Sequence, residues 1–285
     1  MKEELRQEDI KNAPIGVFDS GVGGLTVARE IMRQLPKERI VYFGDTARVP
    51  YGSKSKETVT RYAREICRFL EARHVKAIVI ACNTASAYAL NDLEKESAVP
   101  MLGVVKPGAK TAAETTKNRK IGVIATEATI GSRMYSRYIR ELDENVQVIG
   151  KACPLFCPLV EEGLLRDPVT TEIAKRYLAE LIDSGIDTLI LGCTHYPLIR
   201  DTIGEIMGEG VSLVNPAYET SVELKRMLTE KGLLRDTAPG LGEEQHSFFV
   251  SDGAEKFQAF ATSILQYGIL SAKLVHPDEM KTAVY

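Results

Sequence analysis

Two hydrophobic patterns alternate along this chain. One is the short, unbroken apolar run: IGVF at 15–18, residues 39–43, AIVIA at 77–81, VPMLGVV at 99–105, KIGVI at 120–124, TLILG at 188–192, residues 211–215 and HSFFVSD at 246–252. Runs with no polar position read as strands buried on both faces, the kind found in parallel sheets. The other is the longer stretch with apolar residues every three or four positions, which predicts amphipathic helices at 25–35, 53–74, 178–183, 220–232 and 255–268, and one starting near Ser86. Residues 1–13 read as a frayed leader and 236–244 as a Pro/Gly-rich loop. Strand and helix in alternation predict an α/β fold with mainly parallel sheets.

The pattern restarts halfway. IGVF begins at Ile15 and IGVI at Ile121, 106 positions apart, and Gly44 and Gly150 close the second strands of each half at the same offset. The third strands end alike, AIVIACNT at 77–84 and TLILGCTH at 188–195. The expectation is two similar α/β domains related by a pseudo-two-fold axis, with the active site in the cleft between them. The first comprises 1–105 plus 216–285, the strand at 211–215 returning the chain to it; the second comprises 106–215.

Open α/β sheets bind ligands at the carboxyl ends of their strands. Cys82 and Cys193 sit at two such ends, where a following helix N-terminus makes a thiolate least costly. Held on opposite faces of one carbon, one sulfur removes a proton and the other returns one to the far side. Equal residues at both posts suit a reaction whose two directions are mirror images, and a thiol near pKa 8.5 titrates closer to neutral pH than a lysine. The proton removed would be the weakly acidic α-proton of an amino or hydroxy acid, so fixed donors and acceptors are needed. Ser20, Asn83, Thr84, Thr194 and the backbone around Tyr51-Gly52 are the candidates. Asp19 could orient or deprotonate the thiol of the first half, His195 and Glu161 that of the second. Glu162 adjoins Glu161, and spacing does not decide which faces the cleft.

Other readings weigh less. The turn after the first strand has Gly21 and Gly23 of a dinucleotide fingerprint, but Thr26 stands at the third glycine. Five cysteines include no C-x-x-C pair, so spacing suggests no zinc site, and a separation of 111 between Cys82 and Cys193 does not suit a redox dithiol. Cys67, Cys153 and Cys157 read as packing residues, and His74, His246 and His276 have no companions. A net charge of −3 and a pI near 5.9 argue against a nucleic-acid partner. No apolar run approaches the roughly 18 residues of a membrane span, and the polar N-terminus lacks a signal-peptide core, so the cytoplasm is the expected location.

The motifs FDSGVGGLTV, GDTARVPYG, ACNTAS and GCTHYPL, in that order from about Pro14 onward, closely resemble the cofactor-independent glutamate racemases of bacteria. The resemblance implies interconversion of L- and D-glutamate, supplying D-glutamate for peptidoglycan, without pyridoxal phosphate or metal. It implies Cys82 and Cys193 as acid/base thiols, with Asp19, Glu161 and His195 as auxiliary catalytic groups. Asp19-Ser20, the Pro50-Tyr51-Gly52 loop, Asn83-Thr84 and Thr194-His195 become the substrate-binding residues. Members are commonly homodimers. The rivals are an aspartate racemase of the same superfamily, whose second motif typically has Glu where this chain has His195, and a non-catalytic amino-acid-binding protein.

Overall fold

The computed structural model describes residues 7–238, 240, 245–265 and 271–282. Its strands in chain order are β1 (Ile15–Asp19), β2 (Ile40–Gly44), β3 (Ala77–Ile80), β4 (Met101–Gly103), β5 (Lys120–Ala125), β6 (Gln147–Ala152), β7 (Thr188–Gly192), β8 (Ser212–Val214), β9 (His246–Val250) and β10 (Ala272–Leu274). They form a six-stranded sheet, β10-β9-β2-β1-β3-β4, and a four-stranded sheet, β6-β5-β7-β8, with every pairing parallel. The order β2-β1-β3-β4 recurs as β6-β5-β7-β8, so the sequence repeat is a repeat of topology. Ile15 of β1 pairs with Ile40 and Ala77; Ile121 of β5 pairs with Val148 and Thr188.

Side chains alternate between the faces of a strand, and helices cover both faces of each sheet, which is why the apolar runs are unbroken. In the larger sheet Ile15, Val17, Tyr42 and Val79 pack with Leu25 and Ile31 of helix Leu25–Gln34 and Phe257 of helix Ala254–Leu265. Phe18, Phe43, Ile78 and Ile80 face the other way, onto Ile66 and Leu70 of helix Lys56–Glu71 and Ala89 and Leu93 of helix Asn83–Glu96. In the smaller sheet Ile124, Leu189 and Leu191 pack with Leu178 of helix Pro168–Asp183, and Val123 and Ile190 with Ile139 of helix Met134–Leu142.

Several expected boundaries move. The run at 99–105 yields only the three-residue β4, because Val104 is already in helical conformation and caps helix Val105–Thr115. The helix expected near Ser86 starts at Asn83, and the one expected over 178–183 starts at Pro168, behind an Asp167 cap. The run at 211–215 does not carry the chain back to the larger sheet, because β8 pairs with β7. The return is made by helix Pro216–Glu230, whose Leu224 and Leu228 join the core of the larger sheet. Within the stretch expected to fray, Gln7–Asn12 form a short helix, and the rest of it before Gln7 lies outside the described residues. So do 239 and 241–244 of the Pro/Gly-rich loop and 266–268 of the last expected helix, which is seen as Ala254–Leu265. No helix among the described residues is long and apolar enough to cross a membrane.

Candidate active site

The carboxyl ends of β1, β3, β5 and β7 converge on a cavity of ≈ 350 Å³. Ser20, Pro50, Tyr51, Gly52, Cys82, Asn83, Thr84, Glu161, Cys193, Thr194 and His195 line it. Asp19 does not line it; its side chain is fully buried at the end of β1.

Cys82 lies two residues beyond β3 and caps helix Asn83–Glu96, its sulfur accepting the Ala85 N–H at 3.4 Å. A helix N-terminus favours a negative sulfur. The thiol donates to Ser20 Oγ at 3.7 Å. Burial, and then the nearby Asp19 carboxyl, push its pKa up to about 12. Asp19 Oδ2 accepts the Gly21 N–H at 3.0 Å, and Oδ1 has no partner among the described residues. Burial raises the Asp19 pKa against the opposing pull of His195 and of backbone N–H groups.

Cys193 follows β7. Its sulfur lies 3.7 Å from His195 Nδ1, whose Nε2 lies 2.9 Å from Glu161 Oε1. Burial alone would lower the His195 pKa; contacts with Cys193 and Glu161 outweigh it and raise it to about 10. The same hydrogen bond holds the Glu161 carboxyl below its usual range. The Glu161 contact therefore favours the charged form of His195. Contact with Cys157, then burial, push the Cys193 pKa up while His195 pulls it down.

Polar neighbours fix the remaining groups. Asn83 Oδ1 accepts from Tyr135 Oη at 2.7 Å, and Thr84 Oγ1 lies 3.0 Å from Thr126 Oγ1 and 3.1 Å from Thr129 Oγ1. The Ala128 N–H donates to Gly52 O at 3.0 Å, and Thr26 Oγ1 donates to Thr194 O at 3.0 Å. These bonds join parts of the two sheet units at the cavity. The Tyr51 hydroxyl is turned away, donating to Asp45, so the ring anchors its loop.

The glycines of the first turn serve close approach, Gly23 to the other half and Gly24 to Asp19 of its own. A Cβ on Gly23 would lie 2.3 Å from Thr194 Oγ1 and 2.6 Å from His195 Nδ1, and one on Gly24 would lie 2.3 Å from the Asp19 Cβ. That use of the turn needs no third glycine at Thr26.

Of the lining residues outside the sequence reading, Thr126 and Cys157 bear on the chemistry. Thr126, which caps helix Glu127–Ser132, occupies the place of Ser20 at the 106-residue offset, so the repeat carried the signal. Cys157 corrects an expectation: Cys153 is buried core as expected, but Cys157 is only partly packed, and its sulfur is 3.5 Å from that of Cys193. Helix Phe156–Glu161 explains it, because positions four apart share a face. Cys157 meets Cys193 while Glu161 meets His195. Glu162 lies off that face, 3.7 Å from Lys256.

Two thiols opening on one cavity, each with its own polar partner, can each exchange a proton with a molecule held there. The sequence matches the Asp/Glu/hydantoin racemase family over residues 15–220. It is 51% identical over 238 residues to a glutamate racemase of Geobacter metallireducens, covering 84% of this chain and 87% of that protein. Among solved structures it is similar to a glutamate racemase isoform of Bacillus anthracis (TM-score 0.89, 45% identity, 93% of this chain and 98% of that one). It is also similar to a Francisella tularensis glutamate racemase in complex with D-glutamate (TM-score 0.87, 39% identity, 94% and 99% covered). The chain thus belongs to the Asp/Glu/hydantoin racemase family.

Proposed function

We propose that this chain is a glutamate racemase in which Cys82 and Cys193 carry the α-proton, one as thiolate base and the other as thiol acid, with the roles exchanged in the reverse direction. The observation that carries this reading is that both sulfurs open on one cavity from corresponding strand ends. The base takes Hα and leaves a carbanion at Cα. The acid delivers its own proton to the opposite face, so the proton gained by one sulfur equals the proton lost by the other. Asp19 takes up the proton that Cys82 must shed to become a base, and the His195–Glu161 pair steadies a negative Cys193.

Burial at Cys82, and contact with Cys157 followed by burial at Cys193, favour the neutral thiols. Each pKa unit is worth about 1.4 kcal/mol, so the substrate must supply part of the ionisation. Its ammonium group does this by placing a positive charge between the sulfurs. Its carboxylate meets the first N–H groups of helix Asn83–Glu96, together with the Asn83 and Thr84 side chains. His195 after Cys193-Thr194 favours glutamate over aspartate as substrate. The sheet units correspond to two domains, 1–105 with 216–285 and 106–215, and the D-glutamate formed serves peptidoglycan synthesis.

Incubation with L-glutamate in D₂O and no added cofactor tests this. Deuterium appears at Cα as optical rotation decays, and Cys82→Ser or Cys193→Ser each lower the rate by about 10²–10⁴-fold. Retention of rotation and of the α-proton would overturn the assignment, and near-normal turnover in either variant would remove that sulfur from the scheme.

A further inference from the structure

The contact between Cys157 and Cys193, beyond its influence on the acidity of Cys193, completes a ligand set. Cys157 Sγ, Cys193 Sγ and His195 Nδ1 all lie within 4.8 Å of one another, with the sulfurs 3.5 Å apart and Cys193 Sγ 3.7 Å from Nδ1. Zinc bonds of about 2.3 Å to sulfur and about 2.0–2.1 Å to nitrogen, set tetrahedrally, give edges of about 3.8 Å and about 3.5 Å. The two closest separations, sulfur to sulfur and Cys193 Sγ to Nδ1, match those edges within about 0.3 Å, and Cys157 Sγ lies within 4.8 Å of Nδ1. Glu161 holds Nε2 at 2.9 Å, the outer-shell carboxylate that fixes a zinc-bound imidazole. That contact directs Nδ1 toward the sulfurs. All three ligands line the cavity, so the fourth position faces the space the substrate enters.

We propose that Cys157, Cys193 and His195 bind a zinc ion, and that its occupation switches the enzyme off by sequestering Cys193. Both thiols and the Nδ1–H of the charged His195 ring lose their protons to solvent, three in all, as two zinc–sulfur bonds and one zinc–nitrogen bond form, so no oxidant is involved. The ligands come from helix Phe156–Glu161 and from the turn after β7. The site is therefore assembled by folding, without the close cysteine spacing that announces zinc in a sequence. Binding stands on this geometry alone; the inhibitory consequence rests on the racemase reading.

The test uses the full chain, reduced with a phosphine and titrated with zinc chloride or with cobalt(II) as a spectroscopic substitute. One zinc per chain abolishes racemisation of L-glutamate and EDTA restores it; cobalt(II) gives a thiolate-to-metal charge-transfer band. Cys157→Val, with its own zinc-free rate as the reference, loses intensity in that band and needs at least about tenfold more zinc for the same fractional inhibition. A variant as sensitive as the wild type would overturn the proposal, as would the absence of a band, or an inactivation reversed by reductant and not by EDTA, which would mark a Cys157–Cys193 disulfide. Because the band needs no turnover, a chain that binds cobalt through Cys157 but leaves glutamate unchanged would refute the racemase reading and keep the metal site.

Discussion

Cys82 and Cys193 share a strand-end position but not an environment. Beside Cys82 stand a buried carboxyl and a serine hydroxyl; beside Cys193 stands an imidazolium fixed by Glu161. A carboxyl beside one sulfur and an imidazole beside the other mean that the two proposed thiols reach the same state by different routes. The Cys82 side needs an acceptor for its proton, and the Cys193 side needs a cation to hold the thiolate. Glu161→Gln separates these routes. With the carboxylate gone, the contact with Cys193 is left to oppose burial at His195, and its pKa falls below about 10. A histidine pKa raised by folding adds stability that is fully present below 6.5 and lost as pH rises through about 10. The variant is therefore less stable than the parent at neutral pH, and the difference shrinks as both are taken to high pH. The alkaline limb of its kcat profile moves to lower pH. Imidazole NMR titration reads the pKa directly, and an unchanged value would show that Glu161 does not control His195.

At the scale of elements, what could be read from the sequence was what repeats or alternates. Unbroken runs at 15–18, 77–81 and 188–192 gave strands, because a strand covered on both faces has no polar position. What could not be read depended on neighbours distant in sequence. Residues 104 and 105 are as apolar as a strand requires, but they open a helix that packs against helix Pro216–Glu230 through Gly108 and Pro216. Cys157 looked like core because nothing in its own segment says that the end of β7 folds against it. Most of the expected site residues were legible because they cluster at strand ends, where such sheets hold their ligands. Gly23 shows what one methyl group does where two elements meet. In Gly23→Ala the new Cβ falls 2.3 Å from Thr194 Oγ1 and 2.6 Å from the His195 ring, and the turn after β7 must move. Overpacking of this kind costs about 1–3 kcal/mol, whereas misplacing a reacting group by about 1 Å costs about 10²-fold in rate. Activity thus falls far more than stability, which urea unfolding and steady-state rates measured on one preparation separate. Parent-like kcat would mean that the turn yields without disturbing His195.

Across the whole molecule, the cavity exists because two sheet units are tied at several points, by Thr26 to Thr194, Tyr135 to Asn83 and Ala128 to Gly52. Closing them over the strand ends seals Asp19 from water, and the fold bears a cost for it. Burial is the largest influence on that carboxyl and exceeds the attraction of His195 and of the backbone N–H groups, so its folded pKa lies above 3.8. An acid whose pKa rises on folding binds a proton more readily in the native state. Stability from this group accordingly declines as pH climbs from 3.8 through the folded value and stays lower above it. Asp19→Asn removes that penalty while keeping an oxygen for the Gly21 N–H. Its loss also weakens the pull that helps hold His195 charged, a smaller effect, since burial outranks the His195 attraction at Asp19. At pH 7 the variant therefore melts at a higher temperature than the parent, and the gap closes below pH 4. If Asp19 is the group that receives the Cys82 proton, racemisation falls by about 10²–10⁴-fold in the same protein. Scanning calorimetry over a pH series, paired with racemisation rates, checks both halves. A lower melting temperature at pH 7 would show that contacts of the Asp19 carboxylate outweigh its burial, and full activity would return the proton of Cys82 to solvent.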